Sequence, residues 1–375
     1  MKKRFLILIG IIGMIIFAGC QVSEGDSNIP VDDGDINIPV DEPVNPVNLS
    51  DLKGYIDSLE ENTIDKPYVI TVVNADSDPF KVICEIFKYK KIKKYISLDL
   101  SRCDFDSIPA YAFYGSSMIV ELVLPKKEIT INAQAFGKTS IRKVENSEFI
   151  VSLIGDPFMD TAIKYIDLSG LKKMDEAAFI RNSNITVYIA PENQYFKTLY
   201  DGKAIVSKDE TVFYELLGDN ITELIIPETY KEIGENACSY RQLEKVVLPA
   251  SLEKLGRYSF SDNSNLKTIN IPRSITVIEP GTFHSCSSLP TVELPDTVTK
   301  IDGYAFTSCI SLTSFKIPAS VKFIGSYNFF CATNISGKIE FEVTDGWKKV
   351  RGDEPVSADY IKNFVTNYEF DIYRD

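Results

Sequence analysis

The sequence predicts an α/β repeat solenoid, mostly β, built from about ten units of 22 or 23 residues that share a parallel sheet and carry a cap at either end. Three observations lead there. A shift of 23 residues superposes Leu243, Leu266, Leu289 and Leu312, then Pro249, Pro272, Pro295 and Pro318, then Phe260, Phe283, Phe306 and Phe329. The first apolar residue of each unit can be followed through Tyr95, Ile119, Ile141, Ile163, Ile185, Ile221, Leu243, Leu266, Leu289 and Leu312, with spacings of 22 to 24 and a single one of 36. Each unit opens with apolar residues at its fourth and sixth positions, the alternation of a half-buried strand, and a proline without an N–H then ends the ladder.

One such coil cannot keep its apolar side chains dry. Stacked at about 4.8 Å per rung, coils bury those residues against their copies, and backbone groups pair with the rungs above and below. The Phe column reads Phe113, Phe136, Phe158, Phe179, Phe260, Phe283, Phe306 and Phe329, with Cys238 standing in one unit. Three residues on, a second column carries Ser116, Thr139, Asn182, Asn263, Cys286, Cys309 and Ala332, small or polar side chains able to satisfy backbone groups at a tight turn. Cys286 and Cys309 fall one rung apart, so buried thiols and a disulfide are both open, and no C-x-x-C pair supports zinc.

Ahead of the repeats, Lys2, Lys3 and Arg4 precede an apolar run from Phe5 to Phe17, too short to cross a bilayer and flanked as in a secretory signal peptide, residues 1–19. Phe17-Ala18-Gly19-Cys20 resembles a bacterial lipoprotein cleavage box, which implies that Cys20 is the acylated first residue of the mature chain. The alternative is an ordinary signal peptide with an unmodified Cys20. Residues 20–48 contain no Lys or Arg, four prolines and a duplicated NIPVD, the composition of a tether. Residues 49–94 read as an N-terminal cap. Ser50 is placed to cap a helix with Leu52, Tyr55, Ile56 and Leu59 on one face, Tyr68–Val73 is a strand candidate, and Asp78-Pro79 opens a second helix.

The solenoid spans 95–335. Its one long spacing contains "AIVSKDETVFYEL", two strand-like runs around polar residues, predicting a hairpin insertion over 192–218. Residues 141–157 lack the strand-ending Pro, so local irregularity is expected there. The repeat breaks at Ser336, and "KIEFEV" followed by Trp347, Ile361, Phe364, Val365, Tyr368, Phe370 and Tyr373 reads as a C-terminal cap, 336–375.

The units resemble the BspA-like leucine-rich repeats of bacterial surface proteins, most closely in "LEKVVLPASLEKLGRYSF" at 243 to 260 and "LTSFKIPASVKFIGSYNF" at 312 to 329. The resemblance implies a right-handed leucine-rich-repeat solenoid on an exported protein, often a lipoprotein, with roles in adhesion and in binding a protein or glycoprotein ligand on host or neighbouring cells.

The net charge of −13, which becomes −16 once the three leader cations are removed, weighs against a phosphate-backbone footprint, so no nucleic acid partner is expected. No cofactor, metal site or catalytic group is predicted. His284 is the only histidine, and Asp32-Asp33-Gly34-Asp35 lacks the spaced ligands of a calcium loop. The fifth position of each strand is expected to point outward. In mid-array it carries Ile189, Ile225 and Val247, beside Tyr165 and Val187 in the neighbouring outward column, and an apolar patch rimmed by charge is a candidate protein-binding surface. Alternatively the 192–218 hairpin covers it. Two further readings stay open, a structural envelope spacer and a carboxylate-based hydrolase using Asp167 and Glu145. Arg351-Gly352-Asp353 spells an integrin-type tripeptide.

Overall fold

The computed structural model describes residues 46–73, 79–87, 94–175, 177–182, 185–335, 339–351, 354–357 and 371–374. The expected signal peptide, Cys20, the tether up to residue 45 and the Asp78 cap lie outside the described residues.

The chain winds through about 12 turns of a parallel β-solenoid. The strands that begin each unit form a first sheet along one side of the coil, paired in runs of five, two, three and two strands. Val47–Asn48, Tyr68–Val73, Ile96–Asp99, Ile119–Val123 and Lys143–Glu145 pair in that order, and Tyr165–Asp167 with Thr186–Tyr188, then Glu223–Ile225 with Lys245–Val247 and Thr268–Ile269, continue the run. The second apolar spacing, read in the sequence as a returning turn, forms a second set of parallel strands. Ser107–Ile108, Ile129–Ile131, Ile150–Leu153 and Lys173–Met174 make one sheet, and Val277–Ile278, Lys300–Ile301 and Phe323–Ile324 belong to another. A rung is thus a flattened coil with a strand on each of two sides, the unit at 289–295 excepted.

The inside is a file of rings. Phe113, Phe136, Phe158 and Phe179 stack at centroid separations of 5.2, 5.4 and 5.3 Å with planes within 11°. Phe260, Phe283, Phe306 and Phe329 form a second file at 6.1, 5.4 and 5.8 Å. Backbone pairing keeps the rings in register, as in Phe136 N–H to Pro157 O at 2.9 Å and Phe283 N–H to Ala305 O at 2.9 Å. The column three residues on does what its chemistry suggested. Asn182 and Asn263 donate their amides, and Cys286 and Cys309 their thiols, to the carbonyl at the Phe-column position of the preceding rung, at 2.7 to 3.2 Å. Both cysteines are free, and burial raises both thiols, Cys309 to about 12.

Rungs approach closely where a unit turns after its second strand. A Cβ on Gly325 would lie 2.3 Å from the Gly303 nitrogen, and one on Gly256 would lie 2.5 Å from the Glu235 nitrogen. In the unit without its proline, Asn146 turns at φ 59° into a 3-10 helix, Ser147–Phe149, the irregularity expected there.

The ends differ in detail from the sequence reading. Val47–Asn48, assigned to the tether, is already a strand paired with Val72 and Val73, because the first rung otherwise presents an open edge. The cap helices are Leu52–Ser58 and Phe80–Phe87, and Asp51 precedes the first in place of Ser50, with no side-chain cap bond. Beyond the tenth unit, Ile339–Phe341 adds another parallel strand to Phe315–Ile317. The far edge is closed by Ile372–Tyr373, antiparallel to both Phe323–Ile324 and Lys348–Lys349. Trp347 is buried beside it, edge-on to Phe341 at 5.7 Å. Ile361, Phe364, Val365, Tyr368 and Phe370 lie outside the described residues.

Candidate functional site

Pairing on the first sheet fixes which side chains face out. Tyr165 aligns with Thr186, Ile166 with Val187, and Asp167 with Tyr188. The offset is 21 residues, one fewer than the distance between Ile163 and Ile185, and a slip of one residue sends every side chain of a strand to the opposite face. Val187 and Ile189 therefore point inward, 1% and 5% exposed, and are removed from the predicted patch. Tyr188 takes the outward place at 44% exposure, next to Tyr165 at 56%. The alternation Ile185, Val187, Ile189 against Thr186, Tyr188 contained this answer, but aligning on the first apolar residue alone concealed it. Farther along, Ile225 pairs with Val247, both half-buried on the outer face, while Leu224 and Val246 fill the interior.

The insertion lies in the wall of the coil. Its strands Phe196–Leu199, Ala204–Ser207 and Val212–Leu216 form an antiparallel meander, not a simple hairpin, and the last pairs in parallel with Glu232–Ile233 of the second sheet. Its first turn occupies a rung position of the first sheet, where Gly202, at φ +80°, accepts a hydrogen bond from Val187 N–H at 2.9 Å. Lys203 Nζ donates to Ile185 O and Thr186 Oγ1. The insertion thus stands between Tyr188 and Ile225, and Tyr165, Tyr188, Ile225 and Val247 stay accessible as two short groups on one face. Glu223 and Lys245, paired at 2.6 Å, and Asp167 supply the charged rim.

The insertion also places a carboxylate inside the molecule, with no signal in the repeat pattern to announce it. Elsewhere the Phe N–H of the Ala-Phe pair reaches the next rung, as Phe113 does to Ala135 O, and the Ala N–H closes its own turn, as Ala135 does to Asn132 O. At the joint, Ala178 and Phe179 donate instead to the two oxygens of Glu215, at 2.7 and 2.8 Å. Glu215 is fully enclosed, and burial pushes its carboxyl up to about 7 against the opposing pull of Arg241 and the two N–H donors. Arg241, 2% exposed, donates to Asn182 O at 2.9 Å and to Asp219 at 3.2 Å. The Phe files break here at Cys238, and one apolar cluster gives way to the next.

A carboxyl raised in the folded chain binds its proton more tightly there than when unfolded, so Glu215 weighs against folding above about pH 7 and ceases to do so below about 4.5. Asp156, raised to about 6 by burial, has the same sign. The chain is expected to be more stable at pH 5 than at pH 8 by roughly 2 kcal/mol in urea titrations, with Glu215→Gln removing most of the difference. An unchanged slope in that variant would refute the assignment.

The remaining candidates are placed as follows. Glu145 pairs with Lys143 at 2.7 Å, and Asp167 accepts from the Ser169 N–H at 2.8 Å. Ser285 Oγ and Asp262 lie 3.0 and 3.9 Å from the same nitrogen of His284, Nδ1, so the three do not line up as a proton relay. Among the described residues no cluster of His, Cys, Asp or Glu could hold a metal, and no helix is long and apolar enough to cross a membrane. Arg351 is exposed, while Gly352 and Asp353 lie outside the described residues.

Residues 106–201 and 209–336 match the BspA type leucine rich repeat region, in six copies. Among solved structures, that of the pneumococcal vaccine antigen PcpA superposes with a TM-score of 0.54 at 19% identity, covering 69% of this chain and 71% of that one. A leucine rich cell surface protein from Faecalibacterium prausnitzii gives 0.46 at 18% identity over 70% and 82% of the two chains. A leucine-rich repeat protein from Eubacterium ventriosum gives 0.47 at 14% over 72% and 91%. No curated protein sequence matches the chain.

Proposed function

Because the chain belongs to the BspA-type leucine-rich repeat family, we propose that it is a non-enzymatic binding module of the cell envelope, held by lipid at Cys20 and presenting the outer face of its first sheet to a protein or glycoprotein on a host or neighbouring cell. The observation that carries this reading is the placement of Tyr165, Tyr188, Ile225 and Val247. They stand on short strands whose backbones are locked by parallel pairing, so a partner meets them already ordered. Tyrosines with one apolar body and one hydroxyl suit a desolvated contact that still needs a polar partner. The engagement of Asp167 and Glu145 in local bonds supports binding over carboxylate hydrolysis.

The test is saturable binding of the labelled full chain to a panel of host and bacterial cells. Tyr188→Asp combined with Val247→Asp is expected to weaken that binding at least tenfold, while the urea midpoint moves by less than about 0.5 kcal/mol for each outward residue. Equal binding by the variant would overturn the assignment of this face, and a pure spacer would show no saturable binding at all.

A further inference from the structure

The first sheet is interrupted between Lys143–Glu145 and Tyr165–Asp167, at the insertion, and again at the unit that opens with Leu289. Thr268–Ile269 pairs only with Lys245–Val247, and Phe315–Ile317 pairs only with Ile339–Phe341. Between them residues 289–295 form no strand, and among the described residues the backbone groups of Thr291, Val292, Glu293 and Leu294 have no hydrogen-bond partner. The second sheet does not open at this level, where Val277–Ile278, Lys300–Ile301 and Phe323–Ile324 stay in register.

Two residues account for the opening. The second residue of a unit normally donates its N–H to the rung before, as Glu244 does to Thr222 O at 2.6 Å, Lys267 to Glu244 O at 2.8 Å and Thr313 to Pro290 O at 3.1 Å. Pro290 occupies that place in the open unit and has no N–H to give. One rung later the inward fourth position, aliphatic in the other units, is Phe315, whose ring wedges edge-on against Phe306 at 4.7 Å and Phe329 at 5.1 Å.

The result is a cleft of about 440 Å³ that spans these two rungs and the one after them, lined by the free segment and by Glu293, Asp296, Lys316, Glu340 and Glu342. Lys316, the lone cation of that group, is committed to Glu342 at 2.7 Å, and Asp296 to Arg273 at 2.5 Å. Glu293 and Glu340 have no ion pair among the described residues. We propose that the cleft receives an extended, lysine- or arginine-bearing segment of a partner polypeptide, added as a strand along Thr291–Leu294 with its basic side chains over Glu293 and Glu340. Strand addition draws affinity from main-chain hydrogen bonds and specificity from alternate side chains. Charge excludes the tether as the occupant, since residues 20–48 contain no Lys or Arg.

The site lies on the face already assigned to binding but uses other residues, so either assignment can fail while the other stands. The full chain is titrated calorimetrically with a blocked nine-residue peptide of alternating Lys and Val, with the same peptide N-methylated at alternate residues, and with a Glu-Val counterpart. The Lys-Val peptide is expected to bind and to protect the amides of Thr291–Leu294 from exchange. Binding should weaken at least tenfold on N-methylation and in the exposed double variant Glu293→Lys, Glu340→Lys, and should be unchanged by Tyr188→Asp. No binding at millimolar peptide, equal binding of the N-methylated form, or undiminished binding by the charge-reversed variant would overturn the proposal.

Discussion

Phe306→Ala is expected to destabilise the C-terminal half of the solenoid by about 3–5 kcal/mol, the range for removing a fully buried aromatic ring from a core that relaxes only in part. Phe306 lies between two rings of its file and against a third ring from the strand Phe315–Ile317. It stacks on Phe283 at 5.4 Å and Phe329 at 5.8 Å and receives the edge of Phe315 at 4.7 Å. Collapse around the missing ring is opposed by the backbone bonds that hold each rung at a fixed height, including Phe283 N–H to Ala305 O and Ser308 N–H to Phe330 O at 2.7 Å. Nearest-neighbour coupling in a stacked array should confine the loss, so hydrogen exchange quickens across residues 260–335 and is nearly unchanged around Phe136. A loss below about 1 kcal/mol in urea unfolding, or uniform loss of protection along the chain, would refute the stacked-file account of stability.

Arg241→Ala should cost a comparable amount, about 3–5 kcal/mol at pH 8, because removing one member of a buried charge group leaves the others unpaired. The guanidinium serves three groups: the Asn182 carbonyl on one side of the joint, Asp219 beside it, and, through space, the enclosed carboxylate of Glu215. Its charge opposes the upward push that burial exerts on Glu215, so without it the carboxyl takes up its proton at a still higher pH. Acidification should then rescue the variant more than the wild type. Urea titrations at pH 8 and pH 5 measure both effects, and a variant within 1 kcal/mol of wild type at pH 8 would show that the joint does not depend on this residue.

Much of the fold was legible because a stacked coil writes its interior into the sequence at a constant interval. The leucine, proline and Phe columns, the polar or thiol column behind Phe, and the extra length between Pro191 and Ile221 each follow from one side chain meeting its own copy one rung away. The candidate site was only partly legible. Tyr165, Ile225 and Val247 were placed on the outer face, but Val187 and Ile189 were read one residue out of step, because an alignment anchored on a single apolar residue cannot tell a complete unit from one shortened by a residue. The open cleft had a sequence signal as well, Pro290 at a position that elsewhere donates an N–H, but its meaning depends on knowing which residue donates. Glu215 had none, since a lone acidic residue in a strand-like run reads as a solvated face.

By itself, then, the sequence determined the coil, its period and its buried columns, because these depend on local alternation and on equivalence between units. The tertiary structure alone decided the strand register at Thr186–Tyr188, the burial of Glu215 with Arg241 where the insertion joins the wall, and the parting of the first sheet at Thr291–Leu294. Each arises from how one rung seats on the next, and a single missing residue, a missing N–H or a wider ring changes that seating without disturbing the repeat.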